Sequence, residues 1–153
     1  AFFGERKVDG EVRAILLTHA LDGWDDLDSL LQRWSELSEI QHSAILKACG
    51  QLARRLHGRR QVHGCFYPKH IFLQATGDGY QAQLIDLEKT RPLFFGRRDR
   101  IKDLEPLLRR APEWSDSQLR ELLAVYLDQS LNSSRVDRWV SRLSARRSNK
   151  ETR

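Results

Sequence analysis

Two acidic residues, Asp86 and Glu88, stand at the end of a predicted strand over residues 80–87 and carry the clearest chemical signal of the sequence. A carboxylate where a strand ends is suited to hold a divalent metal ion that bridges phosphate groups, because hard cations prefer oxygen ligands. Side chains alternate along a strand, so we expect Glu88 to lie on the same side as Asp86 and to share the ion or act as a base. Lys69 and Arg91 could supply positive charge to a phosphate.

A second segment, residues 63–70, precedes that strand and reads His-Gly-Cys-Phe-Tyr-Pro-Lys-His. The order of a helix, this loop, a short hairpin with an acidic exit and further helices is that of the C-terminal lobe of protein kinases, where the loop pattern is H-R-D-L-x-x-x-N. At the same spacing His63, Cys65 and His70 occupy the positions of the histidine, the catalytic Asp and the metal-binding Asn. Asp86 begins the triplet in the place of D-F-G.

These two segments, with residues 13–18 and 100–104, resemble the Kdo/WaaP lipopolysaccharide kinase family, and its InaA-type members most closely. The resemblance extends over about residues 1–130 and corresponds to the hinge and C-lobe. It implies an α+β fold, a protein-kinase-like C-terminal lobe that is mostly helical, with a short N-terminal β-hairpin and a catalytic-loop β-hairpin. It also implies ATP and Mg²⁺ as cofactors and a sugar of the lipopolysaccharide core as the acceptor.

The sequence departs from an active kinase in its proton acceptor and in one metal ligand. Cys65 stands where the catalytic Asp is expected, and a thiol is mostly uncharged near pH 7, so we expect weak or no catalysis. His70 can ligate a metal, but Mg²⁺ prefers oxygen, so His70 is a poor substitute for Asn. The resemblance favours an enzyme; the alternative is a catalytically inactive pseudokinase, a stress-response binding module that uses the same fold without turnover.

Other features of the loop have structural interpretations. His63 in kinases supports the loop, and Asp103 matches an acid that holds the catalytic loop by accepting backbone N–H bonds. A zinc site made of His57, His63, Cys65 and His70 is disfavoured, because the paired ligand spacing of zinc sites is absent. Four tryptophans fall in or beside helical patterns, and we expect them to be core or interface anchors.

Periodicity predicts the elements that must position these residues. Alternating residues around Asp9-Gly10 predict a β-hairpin over residues 1–18. Three- and four-residue apolar spacing, which starts at Ile40, predicts a helix over residues 38–57 that ends at Gly58. The remaining expected elements are helices over residues 27–35, 100–110, 117–131 and 134–143 and a strand over residues 71–73.

We divide the chain into a hairpin remnant of an N-lobe (residues 1–18), a kinase-like C-lobe (residues 19–143) and a basic disordered tail (residues 144–153). No glycine-rich phosphate loop or strand Lys is visible, and the chain begins at Ala1 within a strand-like run. We therefore expect a partial sequence that lacks the N-lobe.

The chain has 153 residues, a net charge of +5 and two cysteines, which predicts one domain in a reducing compartment. We expect a cytoplasmic protein, peripheral at the inner membrane if its basic tail contacts anionic lipid. The expected partners are a nucleotide and the lipopolysaccharide core sugar. Nucleic-acid binding is not expected, because no helix-turn-helix, zinc finger or RNA motif is present.

Overall fold

The computed structural model describes residues 2–148, which form the mixed α+β fold that the sequence predicts. The strands and helices are, in chain order, β1 (Phe2–Val8), β2 (Glu11–Leu17), β3 (Asp25–Asp26), α1 (Leu27–Gln32), α2 (Glu39–Gly58), β4 (Gln61–Val62), β5 (Ile71–Thr76), β6 (Gly79–Leu84), β7 (Arg91–Pro92), α3 (Arg97–Arg109), α4 (Asp116–Leu127) and α5 (Ser134–Ser148). Short 3₁₀ helices cover Trp34–Glu36, Pro68–His70 and Leu87–Lys89.

The predicted N-terminal hairpin is present as the antiparallel pair β1 and β2. Asp9 and Gly10 both have positive φ, 51° and 85°, as a tight hairpin turn between right-twisted strands requires. The register places Phe3 on one face and Ile15 and Leu17 on the other, and all three side chains are more than half exposed. These three apolar side chains therefore lie outside the hydrophobic core.

Helix α2 is the central element of the core and packs against α4 and β6. Its first turn is closed by a capping box in which Ser38 and Gln41 satisfy each other's backbone N–H groups. Ile40, in that turn, is 82% exposed, so the buried stripe begins later than predicted. The helix ends at Gly58, as predicted, and Arg60, at φ 58°, takes the left-handed conformation beyond the C-terminus.

The core places three of the four tryptophans as expected: Trp34, Trp114 and Trp139 are buried. The His42 ring stacks on Trp34 with centroids 4.2 Å apart, and its Nε2 donates to the Trp34 carbonyl oxygen at 2.8 Å. Trp24 is only partly buried and lines a surface cleft described below. Among residues 2–148, none of the helices combines the length and apolarity needed to cross a membrane.

Helices α4 and α5 end at residues other than those predicted. α4 stops at Leu127, because Asp128 takes a left-handed conformation. The Asp128 carboxylate accepts hydrogen bonds from the Arg54 guanidinium at 2.6 and 2.7 Å. α5 continues to Ser148, so the predicted disorder is wrong for residues 144–148. The Arg146 guanidinium bonds to Glu105 at 2.7 Å and stabilises this added turn. Residues 149–153 of the predicted tail lie outside the described residues.

The crossing of α2 and α4 depends on Gly50. A Cβ atom at this position would lie 2.8 Å from the Leu122 carbonyl oxygen and 3.1 Å from the Val125 side chain. Gly50→Ala is therefore expected to lower the free energy of unfolding by about 1–3 kcal/mol, the usual cost of overpacking. Urea denaturation measures this change.

Gly58 provides the matched control, because a Cβ there meets nothing within 4 Å and the residue belongs to the same helix. Gly58→Ala should leave the stability unchanged or raise it slightly, since alanine favours helix more than glycine does. Equal destabilisation by both substitutions would contradict the close-approach explanation.

Candidate functional site

The loop between β4 and β5 is held by the buried carboxylate of Asp103, from α3. Asp103 Oδ1 accepts the backbone N–H of Gly64 at 2.8 Å, and Oδ2 accepts the backbone N–H of His63 at 2.9 Å. Backbone N–H groups of a buried loop need such partners. This is the geometry that the resemblance implied for Asp103.

A second contact of Asp103 connects the loop to the helical core. His57 Nε2, at the end of α2, lies 3.0 Å from Asp103 Oδ2, and His57 Nδ1 lies 2.8 Å from the Tyr126 hydroxyl of α4. Burial raises the pKa of the Tyr126 phenol, so the hydroxyl stays protonated and donates to Nδ1, leaving Nε2–H to donate to the carboxylate. The sequence interpretation missed this network, since Tyr126 is separated from His57 by 69 residues and belongs to no motif.

His63 is fully buried and joins the loop to the end of β6. Its Nε2 lies 2.9 Å from the Ile85 carbonyl oxygen, which can only accept, so Nε2 carries the proton. Its Nδ1 accepts the backbone N–H of Cys65 at 3.3 Å. His63 thus has one defined neutral tautomer, and it positions Ile85, the residue before Asp86.

Gly64 lets the loop approach the segment that follows β6. Its φ is 78°, and a Cβ atom at this position would lie 2.7 Å from the Lys89 carbonyl oxygen. The left-handed conformation favours glycine, and the close approach leaves no room for the Cβ atom of any other residue type. The antiparallel pairing of β4 with β7, close to Gly64 and Lys89, holds the same two segments together. The sequence did not predict this pairing.

His70 and Asp86, the two predicted metal ligands, lie beside each other. His70 Nδ1 is 2.8 Å from the Cys65 carbonyl oxygen and therefore donates to it, which leaves Nε2 facing Asp86 Oδ2 at 3.3 Å. In a neutral imidazole that Nε2 bears a lone pair, so two electron-rich atoms face each other. A cation between them, either a proton or a metal ion, removes the repulsion.

Glu88 does not have the position that strand alternation predicted. β6 ends at Leu84, Asp86 takes a left-handed conformation (φ 58°, ψ 58°), and Glu88 lies in the 3₁₀ helix that follows. The expectation that Glu88 and Asp86 share one side of an extended strand is therefore wrong. Glu88 is exposed, and within the described part of the chain it has no hydrogen bond to Asp86 or His70.

Lys69 and Arg91, the two predicted phosphate contacts, differ in their surroundings. Lys69 is exposed in the 3₁₀ helix of the loop and forms no ion pair with the described residues. Arg91 pairs with the buried Asp99 carboxylate at 3.3 Å and donates to the Pro92 carbonyl oxygen at 3.0 Å. Asp99 is a partner that no sequence pattern indicated.

A cleft of about 910 Å³ opens beside Asp86. The segment after β2, residues 18–21, forms one side, and the ends of β5 and β6 form another. Apolar side chains, which include Trp24, Phe72 and Leu84, make up much of its lining, and Asp86 is its charged residue. Cys65, by contrast, is 8% exposed and does not line this cleft.

The side chains fit a divalent cation only in part. Within residues 2–148 no group of three or more His, Cys, Asp and Glu side chains could hold a metal ion. Asp86 and His70 supply two ligand atoms, a number that suits ions completed by water and phosphate oxygens. One of the two is a nitrogen, which Mg²⁺ binds poorly, so the pair fits a cation that accepts both nitrogen and oxygen better than it fits Mg²⁺.

Comparison with known proteins gives the relationship of this chain. Protein InaA of Escherichia coli (strain K12) is 31% identical to it, over 77% of this chain and 57% of InaA. A solved structure of WaaP in complex with acyl carrier protein matches 95% of this chain and 66% of the WaaP chain with a TM-score of 0.73 at 21% identity, which shows that the fold is kinase-like. The chain thus spans less than two thirds of either relative. The model of the lipopolysaccharide kinase (Kdo/WaaP) family matches residues 1–126, and the chain therefore belongs to that family.

Proposed function

We propose that this chain contributes the C-lobe of an ATP-dependent phosphotransferase that acts on a sugar hydroxyl of the lipopolysaccharide core. The observation that carries the proposal is the pairing of Asp86 with His70 at the edge of a cleft of about 910 Å³. Family membership supports the reaction class. The apolar lining at Trp24 and Phe72 suits a flat nucleotide base, with the phosphates directed toward Asp86.

Asp86 and His70 would hold the divalent cation. Two ligand atoms that bind one ion at about 2.0–2.2 Å from adjacent positions lie about 3 Å apart, close to the 3.3 Å between His70 Nε2 and Asp86 Oδ2. Bound there, the cation would neutralise charge on the nucleotide phosphates. Because one ligand is imidazole, we propose Mn²⁺ as the better occupant, in place of the Mg²⁺ that the family resemblance implies.

The residues that would act on the acceptor are Glu88 and Lys69. Glu88 is the exposed carboxylate nearest in sequence to Asp86, and we assign it the role of base. Lys69 is available to a phosphorylated substrate. Arg91 is paired with Asp99, so it could contact a phosphate only from within that ion pair. We therefore assign Arg91 mainly to positioning β7. Cys65 acts through its carbonyl oxygen, which orients His70.

A second candidate function is that of a pseudokinase that binds nucleotide without turnover. The specific observation in its favour is the buried thiol of Cys65 at the position of the catalytic Asp. Nothing in this alternative changes the cleft or the pairing of Asp86 with His70, so the two functions differ in turnover and not in nucleotide binding.

The proposed domain division has structural support at its N-terminal end. Phe3, Val12, Ile15 and Leu17 are exposed on a two-stranded hairpin, and such hairpins are marginally stable alone. We therefore assign residues 1–18 to the sheet of an N-lobe. For the basic C-terminal segment, residues 144–153, we propose contact with the anionic inner-membrane surface from the cytoplasmic side.

Nucleotide binding should depend on Asp86. Mn·ATP at about 100 times its dissociation constant should stabilise the protein by about 2.7 kcal/mol, or about 5–10 °C in thermal unfolding. Asp86→Asn should abolish that shift, because the amide carries no charge. Asp78→Asn, at an exposed turn outside the cleft, is the control and should retain the shift. Absence of a shift in the unsubstituted protein with either metal would refute nucleotide binding.

Metal preference should depend on His70. Isothermal titration is expected to give tighter binding of Mn·ATP than of Mg·ATP, and His70→Asn should reduce the ratio of the two affinities by about tenfold or more, because the nitrogen ligand is lost. His19→Asn, in the cleft lining, is the control: it should change both affinities equally and leave their ratio intact. An unchanged ratio in His70→Asn would rule out His70 as a ligand.

Turnover distinguishes the enzyme from the pseudokinase. Transfer of labelled phosphate from ATP to lipopolysaccharide core should fall by about a hundredfold or more in Asp86→Ala and persist in Cys65→Ala, whose carbonyl oxygen is unchanged. A protein that binds nucleotide but transfers no more phosphate than Asp86→Ala does would instead be a pseudokinase.

A further inference from the structure

Two adjacent aromatic side chains project into solvent from the loop between β7 and α3. Phe94 is 69% and Phe95 is 68% exposed, whereas Leu93, just before them, is buried. Large apolar side chains are seldom displayed in pairs on a surface that has no partner. This pair lies outside the cleft and takes no part in the proposed reaction.

The loop that displays them is tightly anchored. The backbone N–H groups of Phe94 and Phe95 both donate to Asp99 Oδ2 at 2.9 Å, and the backbone N–H of Leu93 donates to the Arg60 carbonyl oxygen at 2.7 Å. Hydrogen bonds from the Arg91 guanidinium and from these N–H groups lower the pKa of Asp99 to about 2, so the anchor is charged at neutral pH. Only backbone atoms of the two phenylalanines are used. The anchoring therefore requires no phenyl group at either position.

Positive charge continues directly from this loop. Arg97 and Arg98 are exposed in the first turn of α3. Arg97 lines a groove of about 640 Å³ together with Arg138, Arg142 and Arg146 of α5.

Little negative charge offsets these arginines. The acid of the groove, Asp137, is paired with Arg120 at 2.5 Å, and Glu105 is paired with Arg146. Arg98 and Arg142 form no ion pair with the described residues. The groove thus presents a net positive surface beside the two phenylalanines.

We propose that this Phe–Arg surface, made of Phe94, Phe95, Arg97, Arg98, Arg138 and Arg142, docks on an anionic lipid bilayer. Aromatic side chains enter the interfacial region of a bilayer, and arginines attract anionic headgroups at about 1 kcal/mol each, or about fivefold in affinity. A nucleic-acid duplex would use the charges but would leave the phenyl groups without an apolar partner, because its bases are already stacked on one another. The combination of exposed phenyl groups and arginines on one surface fits a bilayer. This inference is independent of catalysis.

Vesicle co-sedimentation tests the proposal with the full chain. Binding should be strong to vesicles that contain phosphatidylglycerol and weak to pure phosphatidylcholine. Phe94→Ser with Phe95→Ser should reduce binding by about tenfold or more, and Arg98→Glu with Arg142→Glu by about twentyfold or more. Thermal unfolding of both variants should match the unsubstituted protein, because neither pair supports the core.

Ile40→Ser provides the matched control, since Ile40 is an exposed apolar side chain on another element. It should bind vesicles like the unsubstituted protein. Equal loss in Ile40→Ser, or no preference for phosphatidylglycerol, would overturn the proposal. So would a phenylalanine variant that binds normally to vesicles but loses self-association in their absence, because the surface would then join two copies of the chain.

Discussion

A buried carboxylate must have its hydrogen bonds satisfied, and the arrangement of this site depends on how Asp103 meets that requirement. Two backbone N–H groups of the loop and the imidazole of His57 donate to it. Removing one partner of a buried charge costs about 3–5 kcal/mol, much more than an exposed ion pair contributes. The end of α2, the middle of α3 and the loop are therefore held as one unit. Tyr126 extends this unit to α4 through His57.

The same unit reaches His70 and Asp86 through backbone atoms. The His63 ring connects the Cys65 N–H to the Ile85 carbonyl oxygen, and the Cys65 carbonyl oxygen fixes the orientation of His70. None of these bonds uses the side chain of residue 65. The loop can thus keep its shape with a thiol in place of a carboxylate. The fold of the loop therefore does not require a catalytic base at residue 65.

The features that could be predicted from the sequence are those with a local cause or a recognised spacing. Asp9-Gly10 indicates its hairpin by turn chemistry, α2 follows from apolar periodicity, and the spacing from His63 to His70 identifies the loop. The prediction for Glu88 was wrong because one left-handed residue, Asp86, interrupts the alternation of side chains along the strand on which that prediction relied.

Long-range partners had no signal of this kind. The pairing of Arg91 with Asp99 and the contacts of His57 depend on how distant segments pack, which periodicity does not encode. The extension of α5 likewise brings Arg146 to Glu105, and these two residues neighbour each other only after folding.

The left-handed backbone of Asp86 restricts how this position can change over time. Only glycine, asparagine and aspartate adopt that conformation at little cost, and other residue types lose about 1–2 kcal/mol there. Aspartate alone among the three is charged. The left-handed backbone and the need for a negative charge therefore both favour aspartate. Glutamate, ordinarily the mildest replacement for aspartate, is disfavoured here because it does not adopt this backbone conformation at little cost. A lineage that loses the charge is expected to pass to asparagine or glycine and to keep the fold.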